Sequence, residues 1–233
     1  MTMARVIVPD RLRLVRGTLP AVDQQAVDRA WEQAVLADPT LYDGPALACP
    51  RVDHRPADST LTLEWAPVTY RYFSLRRVPG ADVAPALFAA VVQPTVEGGL
   101  VVGRTTAAGQ VQIPGGVVEQ PTGAVDEAWL AHEAARELAE ETGVVVPPEE
   151  LARFAVTSTP GGNVGVFFRA PPLAEKVIRE RFAVLLAKET AAGNVPELAE
   201  VTTVGSLSDL LELGGPYSAS SIPVARRYLD QFG

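Results

Sequence analysis

The chain has 233 residues, and its 47% hydrophobic and 21% charged content is typical of a folded globular protein. A formal net charge of −8 argues against a nucleic-acid partner, because binding to a phosphate backbone depends on clustered Lys and Arg. Cys49 is the only cysteine, so an intrachain disulfide is excluded and a reducing compartment is favoured. The longest apolar run, residues 86–92, is too short to span a bilayer, and the first residues lack an apolar signal segment. We therefore expect a soluble cytoplasmic protein without a membrane partner.

The first 80 residues are predicted to form a small α/β extension, residues 1–80, ahead of a main domain at residues 81–233. Apolar patterning places strands within 5–14, at 61–65 and at 68–73, and a helix at 22–36. The boundary is predicted from the run Arg-Arg-Val-Pro-Gly at 76–80, which combines charge with two residues that break regular structure.

The main domain alternates predicted strands with predicted helices. The strands are expected at 87–92, 100–104, 111–113, 154–159, 164–169 and 200–204, and the helices at 126–142, 173–187 and 221–231. Asp126 is a suitable N-cap and Gly143 a suitable C-terminal stop for the first of these helices. Gly-Gly-Asn at 161–163 predicts a hairpin between two strands. Mixed strands with interleaved helices predict an α/β sandwich.

Three carboxylates lie close together near the end of the predicted helix at 126–142. Glu137, Glu140 and Glu141 fall on one helix face at 3.6 residues per turn. Each like-charge pair at this spacing costs roughly 0.2–0.5 kcal/mol, and a hard divalent cation would compensate the repulsion. A solvated acidic helix face is the alternative interpretation of these three residues alone.

The segment before this helix supports the metal interpretation. Residues 112–119 read Gln-Ile-Pro-Gly-Gly-Val-Val-Glu, a short apolar strand that is interrupted by Pro114, Gly115 and Gly116. Glycines allow the backbone to turn sharply and to approach a ligand closely. The order is therefore strand, glycine loop and acidic helix.

This arrangement resembles the signature of the Nudix hydrolases. Residues 136–144 match every specified position in the second half of that signature, from Arg136 onward. The first half departs from it, because Ala128 stands at the place of the early Glu. Gly116 also lies 20 residues before Arg136, which is six more than the signature has.

The extra residues are predicted to lie within 120–126, between the glycine loop and the helix. Glu119 and Glu127 are the candidates to replace the absent early carboxylate, although neither is in register with it.

The resemblance implies a Nudix α/β/α sandwich with a mixed sheet, and a reaction in which a phosphoric anhydride is hydrolysed with Mg²⁺ or Mn²⁺. It implies Glu137, Glu140 and Glu141 as metal ligands, with Glu140 and Glu141 also counted as catalytic, and the backbone carbonyl of Gly116 as a further ligand. Arg136 is counted with the catalytic residues. It is always cationic and is expected to orient a ligating carboxylate, with an ordinary helix ion pair as the alternative.

A Glu on a later loop often acts as the base in this superfamily. Glu197 is our choice for the catalytic base, and Glu200 lies in the same segment. For each of them a solvated surface carboxylate is the alternative. His132 shares a helix face with Arg136 and could reach the site, but a solvent-facing or structural role is the competing interpretation.

The N-terminal strings at 38–44 and 68–73 are similar to the segment that precedes the Nudix domain in eukaryotic UDP-sugar pyrophosphatases. This implies a small-molecule nucleotide as partner and UDP-glucose as favoured substrate, cleaved to UMP and sugar 1-phosphate. ADP-ribose, coenzyme A or a biosynthetic diphosphate are the alternative substrates, and a nucleotide sensor without catalysis is the alternative function. A homodimer is possible.

The nucleoside half of such a substrate needs a stacking surface and polar partners. Candidates for stacking are Tyr70, Tyr72 and Phe73, and Arg71 or Arg104 could bind a phosphate. Core packing is the alternative role for each aromatic residue.

Overall fold

The computed structural model describes residues 3–39, 41–159 and 162–232. The strands are β1 Arg5–Ile7, β2 Arg11–Arg16, β3 Pro45–Arg55, β4 Thr60–Thr69, β5 Leu87–Val92, β6 Leu100–Thr105, β7 Val111–Gln112, β8 Gly115–Val117, β9 Ala152–Ser158, β10 Val164–Arg169 and β11 Leu198–Val204. The helices are α1 Gln24–Ala37, α2 Glu127–Thr142, α3 Glu175–Ala192, α4 Leu207–Glu212 and α5 Ser221–Phe232, with a 3-10 segment at Tyr70–Arg77.

A mixed sheet with the strand order β1-β9-β10-β5-β8 lies at the centre of the fold. Strand β10 runs parallel to β5, whereas the other neighbours in this sheet are antiparallel. Side chains along β5 alternate between the two faces, as strand geometry requires. Leu87 and Val91 pack in one core cluster together with α2, and Ala90 and Val92 pack in another together with α5. The helices on both faces confirm the predicted α/β sandwich class.

Helix α2 begins and ends where its capping residues predict. The side chain of Asp126 accepts a hydrogen bond from the Trp129 N–H, and Gly143 ends the helix with φ 73°. Leu130 and Leu138 are fully buried on the sheet side of the helix. The capping and the apolar face together fix which side of α2 points away from the core.

The N-terminal part of the chain shares its core with the rest of the molecule. Strand β1 pairs with β9 in the central sheet, and Leu47 of β3 and Leu61 of β4 belong to the same buried cluster as Leu87. Strands β2, β4 and β3 form a separate three-stranded sheet in that order. A domain boundary between residues 80 and 81 stays a prediction.

The predicted strand at 68–73 is wrong. Strand β4 continues through Pro67 and ends at Thr69, and the chain then forms the 3-10 segment. Asp43 accepts a 2.8 Å hydrogen bond from the Arg71 N–H, and the Tyr72 hydroxyl accepts a 2.9 Å bond from the Ala84 N–H. The first bond satisfies the Arg71 N–H without a sheet partner, and the second fixes the Tyr72 side chain against the chain that follows, so the segment turns instead of extending.

Some elements were not predicted at all. Strand β3 contains Pro45 and Pro50, and its pairing with β4 shifts register between Ala48 and Arg51, so its sequence lacks the regular alternation of a strand. Strand β8 and helix α4 are too short to show periodicity. Strands β9 and β10 pair as the predicted hairpin does, although Gly161 of its turn lies outside the described residues. Within the described ranges, we find no helix whose length and apolar content would allow it to cross a membrane.

Gly143 and Gly193 offer a matched test of the packing of α2 against α3. Both end a helix in the left-handed region, with φ 73° and 78°, and replacement by Ala should cost each about 1 kcal/mol. A Cβ at 143 would also lie 2.7 Å from the Arg181 carbonyl oxygen, whereas a Cβ at 193 meets no atom within 4 Å. We expect Gly143→Ala to lower the free energy of unfolding in urea by about 1 kcal/mol more than Gly193→Ala. Equal losses would contradict the close approach of the two helices.

Candidate functional site

The glycine loop lies directly against helix α2. The Gly115 N–H donates a 2.8 Å hydrogen bond to Oε2 of Glu141, and the Gln112 side-chain amide donates to Oε1 of the same residue at 3.2 Å. Farther along, the Glu119 N–H donates a 2.9 Å bond to Oε2 of Glu133. Two buried carboxylates of the helix therefore hold the two ends of the loop.

Gly116 allows the Glu137 carboxylate to approach the loop backbone. In the pairing of β5 with β8, Gly116 lies opposite Ala89, and any Cβ at 116 would overlap the carboxylate of Glu137. Gly115 has φ 156°, and a Cβ there would overlap Ala89 and Ala90. Both glycines are therefore required by close approaches, and the one at 116 creates space for a carboxylate.

Arg136 joins three acidic side chains of its own helix. Its guanidinium donates to Glu137 at 2.7 Å, to Glu140 at 2.7 Å and to Glu133 at 3.1 Å. Burial disfavours the charged guanidinium, but the hydrogen bond with Glu133 and the neighbouring negative charges outweigh it and raise the pKa of Arg136. Glu140 differs from the others, because 59% of its side chain is exposed.

The carboxyls of Glu137, Glu141 and Glu197 lie close enough to affect one another. Burial raises the pKa of Glu137 to about 7, and the charges of Glu197, Glu140 and Glu133 add to this effect while Arg136 opposes it. Burial also raises the pKa of Glu141, and here Glu197 contributes through both its charge and a hydrogen bond. The structure thus brings Glu197, from the segment before β11, to the two buried carboxyls of α2.

A cavity of about 520 Å³ opens beside these carboxyls, a size typical of small-molecule sites. Its lining combines the glycine loop and the carboxyls with residues from distant parts of the chain. These are Tyr70, Arg76, Phe88, Gln110, Gln112, Ile113, Gly115, Gly116, Val117, Glu137, Thr159, Gly162, Asn163, Phe167, Glu197, Ser218, Ala219 and Ser220.

Several candidates from the sequence lie elsewhere. Glu200 pairs with Arg104 at 3.7 Å, and Arg104 also donates to the carbonyl of Leu213 at 2.8 Å. Arg71 is bonded to Asp43. These contacts engage both arginines that were considered for binding a phosphate.

The other candidates divide between core, surface and cavity. Tyr72 and Phe73 are buried in the core, whereas Tyr70 lines the cavity. His132 is exposed and stacks on Trp129, with 5.1 Å between ring centroids, so the solvent-facing interpretation is the one the structure supports.

Of the candidates for the absent early carboxylate, Glu127 pairs with Arg153 at 2.7 Å. Glu119 approaches Arg136 only to 3.9 Å through its side chain. Neither takes part in the close contacts around Glu137 and Glu141.

Glu133 is the residue that the sequence interpretation missed. It is 2% exposed, and it bonds both the loop amide of Glu119 and the guanidinium of Arg136. Its spacing of three residues from Arg136 is the signal that could have identified it. Arg76 and Asn163 in the cavity wall had no local signal, because the fold alone brings them there.

Oxygen donors of the kind that Mg²⁺ and Mn²⁺ prefer are abundant here, and two of the carboxyls are buried with incomplete charge compensation. Over residues 3–39, 41–159 and 162–232, however, no three His, Cys, Asp or Glu side chains are already arranged around one possible ion position. Arg136 holds Glu137 and Glu140 by ion pairs. The donor set therefore fits a divalent ion chemically, because Arg136 contacts Oε1 of Glu137 and Oε2 of Glu140 and each of these carboxylates has a second oxygen.

No protein-family profile matches the sequence, and no curated protein matches it. Comparison with solved structures finds a MutT protein from Methanosarcina mazei Go1 at 18% identity and a TM-score of 0.42, covering 63% of this chain and 95% of that one. The NUDIX domain of Shewanella oneidensis NrtR, crystallised with ADP ribose, matches at 17% identity and a TM-score of 0.45, covering 66% and 92%. NrtR was also crystallised with a 27mer DNA, in a structure that matches at 15% identity and a TM-score of 0.43, covering 63% and 61%. Likeness at this level carries no information about the substrate of this chain.

The buried carboxyls predict how stability depends on pH in metal-free buffer. The folded pKa values of Glu137 and Glu141 lie above the ordinary value of 4.5, so the folded state binds these protons more tightly than the unfolded state. Their contribution to stability is fully present below pH 4.5 and is lost as the pH rises toward the folded pKa of each group, about 7 for Glu137 and about 9 for Glu141. We expect Glu141→Gln to be more stable than the wild type at pH 8, measured by thermal unfolding, and less dependent on pH between 5 and 8.

Glu140→Gln is the matched control for that measurement, because this neighbouring carboxylate is exposed and should change stability little. The contrary outcome is a wild type that is equally stable at pH 5 and pH 8 in urea titrations and a Glu141→Gln variant of the same stability. That outcome would show that burial does not destabilise the ionised carboxyls.

Proposed function

We propose that this protein hydrolyses the pyrophosphate bond of nucleoside diphosphate derivatives with the aid of a divalent metal ion. The observation that carries the proposal is that Glu137, Glu141 and Glu197 meet beside the glycine loop, with Glu137 and Glu197 in the lining of one cavity. Three acidic groups in a partly buried place repel one another, and a fold retains such an arrangement at a cost in stability. A bound cation removes that cost.

The expected metal ligands are Glu137, Glu140, Glu141 and the carbonyl of Gly116. When bound, Mg²⁺ or Mn²⁺ neutralises negative charge on the pyrophosphate oxygens and lowers the pKa of a water molecule. Gly116 keeps the place next to Glu137 free of side-chain atoms. The Gly115 N–H and the Gln112 amide fix the orientation of the Glu141 carboxylate.

Glu197 is our candidate for the group that accepts the proton of the attacking water. It lines the cavity and interacts with Glu141, so a water held between them would lie within reach. Arg136 positions carboxylates from behind, because its guanidinium contacts Glu137 and Glu140 and does not line the cavity.

A UDP-sugar such as UDP-glucose is the favoured substrate, giving UMP and sugar 1-phosphate. Support comes from the sequence resemblance at 38–44 and 68–73 and from the position of Tyr70 in the cavity wall, where its ring can stack on a base. ADP-ribose, coenzyme A and other diphosphates remain alternatives, because the irregular segment at 118–126 lies beside the glycine loop.

A substrate panel tests the proposal. With Mg²⁺ or Mn²⁺, we expect UDP-glucose, ADP-ribose, coenzyme A or a dinucleotide to be split at the pyrophosphate, so that each product keeps one of its two phosphates, detected by chromatography of the products. Glu141→Gln should lower kcat by about 100-fold or more, because a fixed charge that acts on the developing transition state is removed.

If every compound of the panel stays intact while calorimetry detects its binding, the protein is a nucleotide sensor and the hydrolase proposal fails. Glu127→Gln is the control for unspecific effects, because Glu127 pairs with Arg153 outside the cavity.

Glu197 and Glu200 give a sharper test of the proposed base. Both lie in one segment, yet only Glu197 lines the cavity, and Glu200 pairs with Arg104. We expect Glu197→Gln to reduce kcat by about 100-fold, within the range for loss of a general base, and Glu200→Gln to stay within about twofold of the wild type. Equal activities of the two variants in steady-state kinetics would exclude Glu197 as the base.

A further inference from the structure

Arg76 is the only cationic side chain in the cavity lining among the described residues. It extends from the end of the 3-10 segment, and the other charged groups of the lining are the acidic Glu137 and Glu197. In the part of the chain that the structure describes, no carboxylate pairs with it. Its charge is therefore available to a ligand.

Two contacts hold the guanidinium in place. It lies over the Phe73 ring at 5.0 Å from the centroid, and it donates a 2.8 Å hydrogen bond to Oδ1 of Asn163. Because Asn163 accepts through its oxygen, the polar atom that its side chain still offers is the NH₂ donor. The wall formed by Arg76 and Asn163 therefore presents donors and positive charge, which suit an anionic group.

The strand register separates this wall from the carboxylates. Gly116 lies opposite Ala89 on one side of β5, and the Val164 N–H bonds the carbonyl of Ala86 on the other side, so Asn163 is about level with Ala86. Gly116 and Asn163 are therefore offset by three residues along β5 and by two strand spacings across the sheet. At about 3.3 Å per residue and about 4.8 Å per strand, this offset corresponds to a Cα distance of about 14 Å. This is longer than a pyrophosphate group, so Arg76 faces a more distant part of the substrate.

On the basis of the proposed function, we propose that Arg76 and Asn163 form a subsite for an anionic group, a phosphate or a carboxylate, that the substrate carries away from its pyrophosphate. The net charge of −8 means that the protein as a whole repels an anionic group instead of attracting it. A local cation, fixed by an aromatic ring and an amide, has to attract the group. The subsite would make the protein prefer diphosphates with an additional negative charge.

Matched substrate pairs test this preference. UDP-glucuronate and UDP-glucose differ by a carboxylate at the sugar end, and NADP⁺ and NAD⁺, or coenzyme A and dephospho-coenzyme A, differ by a phosphate at the nucleoside end. We expect the protein with Arg76 intact to bind the more anionic member of at least one pair about tenfold or more tightly, the effect of one charge-assisted hydrogen bond. The pair that shows the preference identifies the source of the anion.

Dissociation constants are measured by calorimetry with Mg²⁺ in the Glu141→Gln variant, in which turnover is slow. Both members of a pair carry the same pyrophosphate, so the contribution of the metal site cancels in their ratio. Arg76→Gln should bring this ratio close to one. Asn163→Asp should do the same, because the new carboxylate would neutralise Arg76 from 163.

Arg77→Gln is the matched control, since this adjacent arginine is exposed and does not line the cavity. It should retain the preference. If the Glu141→Gln protein with Arg76 intact shows no preference in any pair, or if Arg76→Gln in that background weakens both members equally, the subsite is wrong. If the preference is present and depends on Arg76 but the intact protein hydrolyses no compound, the subsite stands and the proposed hydrolysis fails.

Discussion

The geometry of the candidate site depends on a match in length between an extended loop and the helix it is bonded to. Residues Gly115 and Glu119 donate their amides to Glu141 and Glu133, which lie eight residues apart in α2. Eight helical residues rise about 12 Å, and four extended residues span about 13 Å, so the two elements run side by side without strain. Because β8 also pairs with β5, the loop connects the helix to the central sheet. The helix carboxylates and the glycine backbone therefore keep a fixed relation to each other.

The same contacts leave negative charge where water is partly excluded. Arg136 compensates some of it through Glu137 and Glu133, but Glu141 is bonded by an amide hydrogen and a side-chain amide and has Glu197 as its neighbour. Neutral donors stabilise a carboxylate less than a cation does, so this part of the site is under-compensated. A fold that only needed stability would place apolar residues here. The arrangement favours a ligand with positive charge, and this is the physical basis of the metal hypothesis.

Local signals in the sequence were sufficient for the helix that carries the carboxylates. The caps at Asp126 and Gly143 and the strand at β5 lie where the patterns predicted them. The 3-10 segment was predicted as a strand because its apolar residues are typical of strands. The hydrogen bonds that make it turn involve residues outside the segment, so the local pattern does not reveal them. The position of Glu197 beside Glu141 is likewise a tertiary feature, and chain spacing carries no information about it. The sequence therefore predicted the helix of the candidate site and named Glu197 and Tyr70 as candidates, but it gave no signal for Arg76 and Asn163 in the cavity wall.

The cavity is built from two parts of the chain with different constraints. The acidic end lies on α2 and the glycine loop, where the Glu141 side chain bonds the loop backbone and is also a proposed metal ligand. The opposite end includes Tyr70 and Arg76, which lie on the 3-10 segment. Asp43 anchors this segment to the N-terminal part, and the Tyr72 hydroxyl joins it to the Ala84 N–H. Because this segment contributes side chains to the cavity without contacting the carboxylates, its residues can change with little effect on the reacting groups. In the proposed mechanism, substrate preference is thus separable from bond cleavage, and the N-terminal part of the chain together with Asn163 is where it would be set.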